Sequence, residues 1–152
     1  MASPVTFDSI SPRLHLPLLF AGQAQKELFV NEALSIADAL LHCAIESSTA
    51  TPPATPGDGQ NWLIGATPTG DWSGHSGEIA CRQSGSWIFA LPVDGMKVLN
   101  RSTGQFMVYR GGWNTAATPN LPTGGTTIDS EARAAINQIV AALKIAGVLA
   151  TS

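Results

Sequence analysis

Three histidines, eleven acids and two cysteines are the residues of this chain best suited to chemistry, and their spacing unites no set of them. His15, His42 and His75 lack the short separations that bring ligands onto one metal. The loop from Gly70 to Glu78 gathers Asp71, His75 and Glu78, but nothing in it fixes a coordination geometry, so no metal and no cofactor is expected. A glycosidase needs two acids whose surroundings separate their pKa values. Asp58, Asp71, Glu78 and Asp94 instead fall at turns and strand ends, where carboxylates are ordinarily solvated. No G-x-S-x-G elbow offers a serine nucleophile. Cys43 and Cys81 occupy apolar positions and read as reduced, buried small hydrophobes. No catalytic residue is assigned and the chain does not read as an enzyme. A small cell-envelope polysaccharide hydrolase, resting on Asp71 or Glu78, is the enzymatic alternative.

The aromatic residues carry the binding alternative. Trp62, Trp87, Phe106, Tyr109 and Trp113 read first as core of a small β domain. Trp72 reads first as a plug folded over the sheet. Facing outward, Trp72 and His75 in the 70–78 loop, with Tyr109 and Trp113 beside the Gly111-Gly112 turn, would contact a glycan by stacking and hydrogen bonding. His42 reads as solvated or hydrogen-bonded at an interface. Arg82 and Arg101 read as solvent-facing strand residues, or as partners for acids of a neighbouring chain.

Charge narrows the classes further. Only 12% of the 152 residues are charged and the net charge is −3, against roughly 25% charged in ordinary domains. With no basic cluster, nucleic acid is not an expected partner. Charge is depleted from interface cores, so its scarcity suggests a surface covered in an assembly. Leu14 to Phe20 is too short for a membrane span and is interrupted by Pro17, so no membrane insertion is expected. The opening Met1-Ala2-Ser3-Pro4 has neither a basic nor an apolar leader region, which points to synthesis in a cytoplasm.

The elements that must position these residues follow from periodicity. Residues 1–22 form an extended arm in which Pro4, Pro12 and Pro17 exclude a helix while Val5, Phe7, Ile10, Leu14 and Leu18 require cover. Residues 23–48 form a long amphipathic oligomerisation helix. Wound at about 100° per residue, Asn31, Glu32, Ser35, Asp38, His42 and Glu46 make one polar strip. Two apolar stripes lie beside each other: Val30, Leu34, Ala37, Leu41 and Ala44, and Phe29, Ala33, Ile36, Leu40 and Cys43. A surface helix needs one stripe, so the second implies another copy of the chain.

Residues 49–59 are a Pro-rich linker. Residues 60–117 are an antiparallel β meander or small open barrel containing an internal repeat. Ile79–Phe89 aligns with Val98–Val108, each a strand, a glycine turn and an aromatic-led strand. Residues 118–128 form a second linker, and 129–150 a short C-terminal helix with Asp129 as N-cap and Gly147 at C′. Ala132, Ile136, Ile139, Leu143 and Ala146 make its heptad-like seam.

Gly22 to Leu34 (GQAQKELFVNEAL), after the arm PRLHLPLLFA, resembles an uncharacterised family of phage, prophage and gene-transfer-agent structural gene clusters. The likeness continues through GDGQNWLIG, GDWSGHSGEIA and GSWIFALP, and IDSEARAAINQIVAALKIAGVLA is similar to the ending of many phage fibre and spike proteins. The resemblance spans roughly residues 10 to 150 and implies no catalytic residue. It implies a virion structural protein, a homotrimeric tail-fibre or spike component or an adaptor to a receptor-binding element. Its partners would be itself, other virion proteins and a host surface glycan. Many such proteins continue into a large receptor-binding domain, so a chain stopping at Ser152 suggests a stand-alone fibre or an adaptor. The fold class expected is thus α+β and trimeric, with Val30, Leu34, Ala37, Leu41, Ala44, Ile136, Ile139 and Leu143 at the oligomer interface.

Overall fold

A computed structural model of the chain describes residues 9–20, 22, 26–126 and 128–151. The expectations for Val5, Phe7 and the Gln23–Gln25 part of the motif lie outside these residues. The fold is mixed α+β, with two α-helices and two four-stranded sheets among the described residues. It divides into two units, one of Met1–Cys43 with Ser48–Pro92 and one of Ala44–Ser47 with Val93–Ser152.

The first unit holds helix α1 (Lys26–Leu40), which is shorter than the sequence suggests. Leu41 donates a last helical hydrogen bond to the Ala37 carbonyl, and His42 then turns to φ +50°, where a helix cannot continue. Ala44 and Ile45 are therefore strand rather than helix. They form β1 of the second unit, and β2 (Ser48–Thr49) returns to the first. Strands two residues long carry no readable periodicity, which is why the apolar run across Cys43, Ala44 and Ile45 looked like more helix.

The first sheet has the order β2, β3 (Asn61–Ile64), β4 (Ile79–Gln83), β5 (Ser86–Ala90). β2 is parallel to β3 and the rest is an antiparallel meander. Ser84 and Gly85, both at positive φ, make the two-residue turn from β4 to β5. That is the backbone a tight hairpin twisted like its strands demands.

The other unit repeats the plan with β1, β6 (Lys97–Asn100), β7 (Gln105–Tyr109) and β8 (Trp113–Asn114), β1 lying parallel to β6. The barrel alternative is thereby replaced by two separate sheets. The sequence repeat is divided between them: its first copy is the β4–β5 hairpin and its second the β6–β7 hairpin. The turns differ because the Asn100 carboxamide oxygen accepts from the Ser102 amide (3.0 Å) and hydroxyl (2.7 Å). This Asx turn ends β6 at Asn100 and leaves four residues in the loop.

Helix α2 (Ser130–Ile145) has the caps its sequence announces. The Asp129 carboxylate accepts from the Ala132 amide at 2.8 Å. The Val148 amide donates to the Leu143 carbonyl at 2.9 Å and the Gly147 amide to that of Lys144 at 3.0 Å, a Schellman closure. Behind it, the Gly147 carbonyl accepts from the Phe106 amide at 2.7 Å, and the Thr151 amide donates to the Thr103 carbonyl at 3.0 Å. The tail thus docks on the β6–β7 hairpin, with Leu149 and Val140 buried.

Candidate functional site

Two constructions stand out in the first unit, a buried clasp and an open groove. The clasp inverts the expected helix orientation. Ser35 and Asp38, read as part of the polar strip, are buried, while Leu28 and Phe29 on the apolar side are 67% and 73% exposed. The arm explains it. Its described residues are not simply extended as expected: Ile10 and Pro17 pair in an antiparallel bridge, and the amides left in the turn between them must be satisfied elsewhere. Asp38 accepts from the Ser11 hydroxyl (2.7 Å), the Arg13 amide (3.1 Å) and the Leu14 amide (2.5 Å). Asn31 grips Leu19 twice, accepting from its amide at 2.8 Å and donating to its carbonyl at 3.0 Å.

The Arg13 guanidinium completes the clasp. It donates to the carbonyls of Asp38, of Ala39 (2.6 Å) and of His42 (3.1 Å). These are carbonyls at and just beyond the C-terminal end of α1, where a cation also complements the helix dipole. Arg13 was not singled out in the sequence, and Asp38 was read only as one member of the polar strip with Asn31 and Ser35. The Pro-broken segment before the helix was the only hint of a partner for it.

The core beneath the sheet joins Trp62, Ile64, Ala80 and Trp72, with Trp87 and Phe89 packed against them. Trp72 sits in a single 3-10 turn (Gly70–Trp72) and is fully buried, so its plug role holds and it has no face for a sugar. Its ring meets Trp87 edge-on at 5.1 Å and tilts against Trp62 at 6.4 Å. Arg82 lies over the Trp87 ring at 5.0 Å.

The groove runs beside β5 and has a volume of about 760 Å³. On one side stand Leu28, Asn31, Glu32 and Ser35 of α1; on the other stand His75, Glu78, Trp87 and Phe89. His75 stacks on Phe89 (3.7 Å between centroids, 11° between planes), and its Nδ1 lies 3.0 Å from a Glu78 carboxylate oxygen. The stack and that pairing hold the imidazole at the groove wall. Asp71 does not join them, and among the described residues no cluster of three potential metal ligands occurs.

Of the other expected glycan contacts, Tyr109 and Trp113 meet edge-on at 5.4 Å in the second unit. Arg101 pairs with Glu46 of its own chain at 2.8 Å. Cys43 and Cys81 are buried, as expected, and are not joined to each other. Burial pushes the Cys43 thiol up to about 11, against the pull of Arg13, and the Cys81 thiol up to about 12, with the neighbouring Cys43 adding to the rise. Neither is a nucleophile at neutral pH.

The expected oligomer-interface residues divide three ways. Val30, Leu41, Ile136 and Ile139 are exposed and Leu34, Ala37 and Leu143 are half-buried. Ala44 is also half-buried but lies in β1, off the helix. No described helix is long and apolar enough to cross a membrane.

Residues 30–114 match the family described as Protein of unknown function (DUF2793), so more than half of the chain is covered and it belongs to that family. No curated protein matches the sequence.

Proposed function

We propose that the chain is a self-associating structural module of a bacteriophage or gene-transfer-agent particle, a homotrimeric fibre or spike component or an adaptor to a receptor-binding element. The observation that carries self-association is the large apolar surface on both helices. Leu28, Phe29 and Val30 follow one another exposed on α1, and Ile136, Ile139 and Ile145 stand exposed on α2, Ile145 at 89%. Large apolar side chains left this exposed on two helices are the kind of surface that association covers. The low charge of the chain agrees with it, as do the small alanines on α2 that permit close helix approach. The particle assignment rests on the sequence likeness.

Light scattering on the purified chain at micromolar concentration tests the assembly. The expected mass is that of three chains, falling toward one when Phe29, exposed and outside the core, becomes Glu. A wild-type monomer overturns the reading. Mass spectrometry of purified particles from a producing strain tests the location, and absence of the chain from them would refute it.

A further inference from the structure

Among the described residues β5 is the outer strand of its sheet, with β4 on one side and the groove on the other. The two-residue turn makes Gln83 and Ser86 a hydrogen-bonded closing pair, so by alternation Cys81–Ile88 and Ile79–Ala90 are hydrogen-bonded too. The backbone N–H and C=O groups of Trp87 and Phe89 must then point away from β4. Edge strands are ordinarily blunted by a proline, a bulge or a lysine. Ser-Trp-Ile-Phe-Ala carries none of these.

We propose that this edge is a docking site for an extended, basic peptide segment of another protein, which adds a fifth strand to the sheet along β5. Strand addition supplies main-chain hydrogen bonds at Trp87 and Phe89, while alternate side chains of the guest enter opposite sides of the edge. One side presents Leu28 and Glu32 of α1, the other Glu78 and the stacked His75–Phe89 pair. A carboxylate thus stands on each side, and no described lining residue is Lys or Arg. That asymmetry selects a cationic guest. It also disfavours a second copy of this chain. β5 has no basic residue to offer, and edge-to-edge pairing about a twofold axis would bring Glu32 and Glu78 of both copies together, where like charges repel. The inference stands whether or not the chain forms trimers.

The test uses the full chain and two synthetic peptides, one alternating lysine with valine and the other glutamate with valine. Binding is read by fluorescence of the intact protein, and the site by amide hydrogen exchange. The lysine peptide should bind and slow exchange at Trp87 and Phe89, with affinity lowered at least about tenfold by Glu32→Gln together with Glu78→Gln. The glutamate peptide should not bind. Equal binding of the two peptides overturns the proposal, as does absence of lysine-peptide binding at about 1 mM. Concentration-dependent protection of the same two amides without any peptide would assign the edge to a second copy and overturn it equally.

Discussion

The Asp38 carboxylate accepts a hydrogen bond from the Ser11 hydroxyl at 2.7 Å across 27 residues of sequence. With only 1% of its surface exposed, Asp38 is an acid turned inward. The Arg13 and Leu14 amides converge on the same carboxylate. The arm is therefore part of the fold of the first unit, fastened by a helix residue that would otherwise be a buried, unsatisfied charge.

Removing that carboxylate should release the arm. Asp38→Ala strands one hydroxyl and two amides and is expected to cost about 3 kcal/mol in urea unfolding. Asp38→Asn keeps one acceptor oxygen and should cost less. Amide exchange at Arg13 and Leu14 should accelerate in both variants, more in the alanine one. Arm amides that stay protected in Asp38→Ala would show that the clasp is held elsewhere.

The clasp also marks where the sequence stopped being legible. Helical period correctly grouped Asn31, Ser35 and Asp38 on one strip, but it could not show what that strip packs against. The partner on that strip is a backbone: Ser11 and Leu18 find carbonyls within the folded-back arm, but the Arg13, Leu14 and Leu19 amides reach the side-chain oxygens of Asp38 and Asn31. Local signals did better. Asp129 and Gly147 cap α2 as their chemistry requires, and Trp72 plugs the sheet. The division of the β region into two sheets was not readable, because it depends on β1 and β2, each two residues long and recruited by parallel pairing from distant strands. The groove was likewise invisible. Its wall residues were read separately, His75, Glu78 and Trp87 as loop and β residues and Asn31, Glu32 and Ser35 as helix strip, and Phe89, which holds His75 in place, was read only as the end of the first repeat.

Gly147 joins the end of α2 to the second sheet and tolerates no side chain. Its φ is +69°, and a Cβ there would lie 2.8 Å from Phe106 Cδ2. Phe106 is constrained in turn, since its amide is bonded to the Gly147 carbonyl and Lys97 Nζ sits 3.9 Å from its ring centroid. Gly147→Ala should destabilise the chain by about 1–3 kcal/mol through left-handed strain and displacement of Phe106. Gly112, with nothing within 4 Å of a built Cβ, is the control. Gly112→Ala should stay within about 0.5 kcal/mol of wild type. Equal melting of the two variants would refute the packing argument.

The two thiols give the fold an alkaline limit. Burial raises Cys43 to about 11 and Cys81 to about 12 from an ordinary value of 9.0. Both groups are neutral when protonated, so between pH 9 and their raised values the unfolded chain releases protons that the folded chain retains. The folded state then binds more protons, and stability falls as pH rises. The contribution is fully present below pH 9 and is lost as pH climbs through about 11 and 12. Urea midpoints should therefore decline above pH 9, and the decline should shrink in Cys81→Ala, whose overall stability will be lower because a small cavity opens beside Ile79. At pH 8 both thiols should resist iodoacetamide in the native chain and react on unfolding. Rapid labelling of either cysteine under native conditions would mean that the sheet face beneath α1 opens far more readily than its burial implies.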